Sequence, residues 1–136
     1  MRLVNVRRTV DHVMVQSPDD VWRIVGPAAR TWDRERFVTL ILDGRSRLLG
    51  IDEVSVGTVT ATLVHPRELL KAVILANGVS FVMVHNHPAG NPTPSREDLA
   101  LTARIKAAAD IMGLRLDDHV VVASDGFHSM SLAGQL

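Results

Sequence analysis

The chain opens its readable pattern with a short apolar run, Val10 to Gln16, that suits a strand. Ser17-Pro18 follows, an N-cap serine with proline at the first helical position, and Asp19 and Asp20 favour a helix N-terminus. Val21, Trp22, Ile24 and Val25 supply an apolar stripe, so a helix is expected over about 18–29, with Pro27 placed to shorten it. From 34 to 43 the pattern alternates and then turns continuously apolar, with Glu35, Phe37, Thr39 and Ile41 on one face and Val38, Leu40 and Leu42 on the other. This reads as a strand buried over most of its length. Asp43-Gly44-Arg45-Ser46 turns it into a partner strand over 47–56, with Gly57-Thr58 closing the hairpin.

His65-Pro66 starts a second helix, 66–77, whose buried stripe is Leu69, Leu70, Val73 and Ile74 and whose stop signal is Asn77-Gly78. Residues 79–85 form a continuous apolar strand. The longest helix runs 95–112, with Leu99, Thr102, Ala103, Ile105, Ala109 and Met112 on its apolar side and Gly113 ending it. A strand over 115–123, a turn at Ser124-Asp125-Gly126 and a last strand over 127–132 complete the chain. The order β-α-β-β-α-β-α-β-β predicts an α/β (α+β) fold, a mixed β-sheet flanked by helices. At 136 residues it fits one domain, with 1–17 as an N-terminal extension or strand.

Composition narrows the chemistry. Apolar residues make up 46% and charged residues 22%, as in ordinary globular proteins. No apolar run reaches the about 18 residues of a membrane span, and the start lacks a secretory pattern, so a cytoplasmic location is the default expectation. The chain has no cysteine, so any metal is held by nitrogen and oxygen. Formal charge is zero, which leaves no global excess of cations for phosphate neutralisation on DNA.

The candidate chemistry lies between the 79–85 strand and the longest helix. His85 and His87 stand two apart at a strand end, where side chains share a face and can converge on one ion. An isolated His-x-His pair is commonly structural. Asp98, in the first helical turn, is explained equally well by the helix dipole, and Ser95-x-x-Asp98 also has the form of a capping box. Taken together, two histidines and a carboxylate make a catalytic zinc ligand set with a fourth position open to water. Pro88, Pro92 and Pro94 stiffen the loop that joins them. Such a site also needs a base, which a carboxylate on a neighbouring strand can supply.

The spacing His85-x-His87, seven residues, Ser95, two residues, Asp98 resembles the signature of the JAMM/MPN (JAB) zinc metalloprotease superfamily. Val64-His65-Pro66-Arg67-Glu68, Gly57-Thr58 and Leu116-x-Asp118-His119 are similar to the C-terminal domain of RadC-like proteins, over about residue 18 to the C-terminus. The resemblance implies a JAB/MPN-like, cytidine-deaminase-like fold. It implies one catalytic zinc on His85, His87 and Asp98, Glu35 as general base, and Ser95 as hydrogen-bond donor to the oxyanion. It implies hydrolysis of a peptide or isopeptide bond, with a peptide or protein conjugate as substrate. Relatives also carry an N-terminal helix-hairpin-helix, for which this chain has no room, and a DNA-repair label. A DNA-associated or mobile-element role and a non-catalytic scaffold are therefore the alternatives. Glu35 is otherwise a strand-edge charge paired with an arginine, and Glu53 is the alternative base. His65 reads as a helix cap, and His119 as a structural hydrogen-bonding residue or one that orients a ligand. The oligomeric state is not legible.

Overall fold

A computed structural model describes residues 3–4, 13–56 and 64–136, apart from the side chains of 3, 4, 55 and 56. Among the described residues the elements are β1 (Leu3–Val4), α1 (Pro18–Ala29), β2 (Arg36–Leu42), β3 (Leu48–Val56), α2 (Pro66–Leu75), β4 (Ser80–Asn86), α3 (Arg96–Ile111), β5 (Arg115–Ala123) and β6 (Gly126–Ser129). They build one mixed sheet in the order β1-β3-β2-β4-β5-β6. Only β4 and β5 run parallel, and α3 is the crossover that a parallel pair requires. The fold class is the one the pattern predicts.

Strand alternation divides the core between the two faces of the sheet. Phe37, Ile41, Phe81 and Met83 pack with Leu69, Val73, Leu101 and Ile105 beneath α2 and α3. Val38, Leu40, Val82, Val84 and Val120 pack with Val21 and Val25 of α1. Each fully buried side chain of this size is worth about 1.5–3 kcal/mol relative to exposure. Trp22 and Trp32 are half-buried against the α1 face, as packing residues.

Helix ends follow their sequence signals closely. Ser17 caps α1 by accepting from the Asp20 backbone N–H. Two helices stop in a Schellman motif, with Gly78 N–H on the Val73 carbonyl at 2.8 Å and Leu114 N–H on the Ala109 carbonyl at 2.9 Å. The left-handed residue after α2 is Asn77 (φ 58°). Gly78 serves a different need: a Cβ there would lie 2.5 Å from Ile41 Cγ2.

Several expectations change. Pro27 does not shorten α1, because it falls in the last turn, where its missing N–H costs one terminal bond. The 10–16 strand lies partly outside the described residues; of the rest, Met14 makes an isolated bridge to Arg47, and the described N-terminal strand is Leu3–Val4 on β3. The 57–58 closure also lies outside the described residues. On α2, Ala72 is buried and Ile74 is exposed. On α3, Leu101 joins the core while Ala103 and Met112 face solvent. His65 occupies the N-cap position of α2 without a side-chain capping bond.

Candidate metal centre

β4 is the most enclosed strand, buried at every position, and its last turn outward carries the site. His85 faces the α2/α3 side. Its ring stacks parallel to Phe37, its partner in β2, with centroids 5.7 Å apart and planes at 3°. His87 follows two residues on, at the point where the chain leaves the sheet. α3 then begins with a complete capping box. Ser95 Oγ accepts from Asp98 N–H at 3.1 Å, and Asp98 Oδ2 accepts from Ser95 N–H at 2.8 Å. The cap and the metal reading of Asp98 are therefore compatible: the box that satisfies the helix end also aims the carboxylate at the histidines.

The three groups converge. His85 Nε2 and His87 Nε2 are 3.0 Å apart. Asp98 Oδ1 is 3.3 Å from the first and Oδ2 is 3.3 Å from the second. Among the described residues these three form the cluster that can hold a metal ion, with one donor atom from each within 4.8 Å of the others. Bonds of about 2.0–2.1 Å in a tetrahedral zinc site give ligand-to-ligand edges of roughly 3.3–3.4 Å, and the observed separations are of that order. Donor chemistry agrees. His87 Nδ1 lies 2.9 Å from the Asn91 carbonyl, which can only accept, so Nδ1 carries the proton and a neutral ring offers Nε2 as a lone pair. That lone pair points into a space shared with a carboxylate, an arrangement that calls for a cation or a proton.

Hydrogen bonding to Asp98 raises the His87 pKa above its ordinary 6.5 against the effect of burial, with the Asn91 carbonyl and the Glu35 charge adding to it. Burial alone would push Asp98 up, but bonds from His85, His87 and the Ser95 backbone hold it well below the usual carboxylate range.

Glu35 sits immediately before β2. The β2–β4 register pairs Phe37 with His85, so one further pair on the same face brings Glu35 opposite His87. Asn86, between the two histidines, secures this segment from the other face. Its Oδ1 accepts from Arg36 N–H at 2.6 Å and its Nδ2 donates to the Arg34 carbonyl at 3.1 Å, bracketing Glu35. Glu53 is not placed to substitute. It pairs with Val38 in the ladder, which puts it on the α1 face, and Arg36 holds it at 3.0 Å.

Behind the ligands, His119 is fully buried, with Nε2 at 2.8 Å from His85 Nδ1 and Nδ1 at 2.6 Å from Thr102 Oγ1. Burial first, then the neighbouring His85, pushes its pKa well below the ordinary 6.5. Asp118 beside it serves the C-terminal turn, accepting from Ser129 Oγ at 2.5 Å and Ser131 N–H at 2.9 Å, and burial raises its pKa. Asn86, Asn91 and the hydroxyl of Thr102 also serve the site and are not marked out by the ligand motif. The available signal was Thr102 at i+4 from Asp98, a helical spacing that puts both on one side.

A family model described as a RadC-like JAB domain matches residues 15–135. A UPF0758 protein of Desulforamulus reducens is 40% identical over 122 residues, 90% of this chain and 54% of that protein. Another, from Desulforudis audaxviator, is 39% identical over 88% of this chain and 52% of its own length. A third, from Methanosarcina mazei, is 36% identical, again over 88% and 52%. The chain thus spans about half the length of these curated relatives.

Proposed function

The chain belongs to the RadC-like JAB domain family, and from that premise we propose that it is a zinc-dependent hydrolase that cleaves a peptide or isopeptide amide bond. The observation that carries the reading is the convergence of His85, His87 and Asp98. His85, His87 and Asp98 would hold the ion. When bound, zinc supplies a Lewis acid and lowers the pKa of water towards about 7.

The chain's own groups divide the remaining work. Glu35, set opposite His87, accepts a proton from the attacking water as its oxygen bonds to the carbonyl carbon. It passes that proton to the amide nitrogen as the carbon–nitrogen bond breaks, leaving a carboxylic acid and an amine; the acid's proton then moves to the amine, giving a carboxylate and an ammonium group. Ser95 Oγ accepts from Asp98 N–H, so its own hydroxyl hydrogen remains to donate to the carbonyl oxygen as negative charge develops there. The substrate is a peptide or protein conjugate, consistent with a site on the rim of the sheet. A zero net charge does not favour DNA as the direct ligand.

The test is hydrolysis of a panel of peptides and isopeptide-linked conjugates by the zinc-loaded full chain. Cleavage by the wild type, lost in Glu35→Gln with zinc content unchanged, supports the proposal. A fully metallated wild type inert on the whole panel overturns it. Salt-sensitive DNA association by that inert protein would favour the DNA-associated alternative.

A further inference from the structure

We propose that His119 and Thr102 are positioning residues that fix the tautomer of His85, so that its Nε2 meets the metal as a lone pair. This inference rests on reading His85 as a ligand. Thr102 Oγ1 lies 2.7 Å from the Asp98 carbonyl oxygen and 2.6 Å from His119 Nδ1. A carbonyl oxygen only accepts, so the single hydroxyl proton of Thr102 belongs to that contact. The Met130 sulfur, at 3.4 Å, is a weak acceptor and does not compete. With its proton committed, Oγ1 meets His119 Nδ1 as an acceptor, and Nδ1 carries a hydrogen.

His119 is completely enclosed, and its two ring nitrogens are taken by Thr102 and His85. An added proton would place a charge in that enclosure, so Nε2 stays a lone pair. His85 Nδ1, 2.8 Å away, must then donate to it. A neutral His85 with hydrogen on Nδ1 presents Nε2 bare, towards His87 and Asp98. The chain of contacts begins on the carbonyl of Asp98, so one network ties the ligand on β4 to the ligand on α3. Removing the threonine hydroxyl frees His119 to move its hydrogen to Nε2, which would reverse the His85 contact and cover the ligand atom with a proton.

The experiment compares Thr102→Val with Thr102→Ser, and His119→Leu with His119→Gln, in the full chain. Zinc affinity is read by chelator competition. The His85 tautomer is read from side-chain nitrogen shifts of metal-free protein in mildly alkaline buffer. Thr102→Val and His119→Leu should weaken zinc binding about 10–100-fold, the usual effect of losing the partner of a ligating histidine. Thr102→Ser should stay near wild type. His119→Gln, whose amide oxygen can accept from Nδ1, should recover much of the loss. Metal-free wild type should show His85 hydrogen on Nδ1, and Thr102→Val should shift it towards Nε2. Hydrogen on Nε2 in wild type overturns the proposal, as does equal zinc affinity in Thr102→Val and Thr102→Ser. If wild type binds no zinc, the metal reading fails while the tautomer measurement still decides this one. If His119→Leu does not fold, the threonine pair and the wild-type spectrum decide it.

Discussion

The two histidines of the centre are two residues apart yet sit in different kinds of protein. The His85 side chain is 3% exposed and is held by other side chains: a stacked Phe37 and the fully buried His119. The His87 side chain is 18% exposed and is held by a loop carbonyl, that of Asn91. The inner half takes its geometry from the core, so a change there disturbs packing and ligand placement together. The outer half takes its geometry from a proline-stiffened loop and from the edge segment that carries Glu35. Chemistry there can be altered while the metal and the fold remain. In the proposed hydrolysis the rigid ligand lies inside and the proton-handling groups stand on the outer side, where water and substrate would arrive.

Glu35→Gln should give the largest effect and the cleanest separation, a fall in turnover of about 10²–10⁴-fold with zinc retained. Steady-state kinetics with metal analysis checks it, and equal loss of metal and activity would break the division. Phe37→Ala, on the inner side, should cost about 3–5 kcal/mol in urea unfolding and weaken zinc binding with it. Asn86→Ala strips the bracket from the Glu35 segment and should cost about 1–3 kcal/mol. Turnover should fall further than zinc affinity in that variant, because its two bonds go to the Glu35 segment. Ser95→Ala should cost about 1 kcal/mol through the lost cap and lower turnover as well. An unchanged rate in that variant would leave Ser95 as a cap only.

The smallest effect is in pH, and its sign differs between the halves in metal-free protein. His87 has a raised pKa, so its contribution to stability is complete below the ordinary value of 6.5 and is lost as pH rises through the folded value. His119 has a lowered pKa, so the unfolded chain takes up the proton first and stability is lost as pH falls through 6.5. Removing one reveals the other. In urea titrations over about pH 5.5–8, His87→Gln should gain stability as pH rises. His119→Gln should lose it over the same range. Slopes of the same sign in both variants would erase the contrast.

The sequence made the outer pattern legible because its signals are local. His-x-His at a strand end and Ser-x-x-Asp at a helix start each follow from spacing within a few residues, and both read correctly as geometry. Glu35 was reached only through family resemblance, since its approach to His87 depends on pairing β2 with β4, segments some 50 positions apart. The inner network was less legible still. His119 was legible as a residue that makes a structural hydrogen bond or orients a ligand, but without a named partner, because its partner follows from the β4–β5 alignment and the rotation of α3. Thr102 was counted with the apolar side of α3. It is indeed buried, but the stripe runs through Leu101 and Ile105 rather than Ala103 and Met112, and the feature that matters is its hydroxyl. The two faces of 36–42 were clear, because successive side chains of any strand point to opposite faces without knowledge of neighbours.

Whether His85, His87 and Asp98 form one metal site is decided by zinc titration of the metal-free full chain against its single-ligand variants. About one zinc per wild-type chain is expected, with tight binding lost in His85→Ala, His87→Ala and Asp98→Ala alike. A wild type that binds no zinc, or variants that bind it as tightly as wild type, would contradict it.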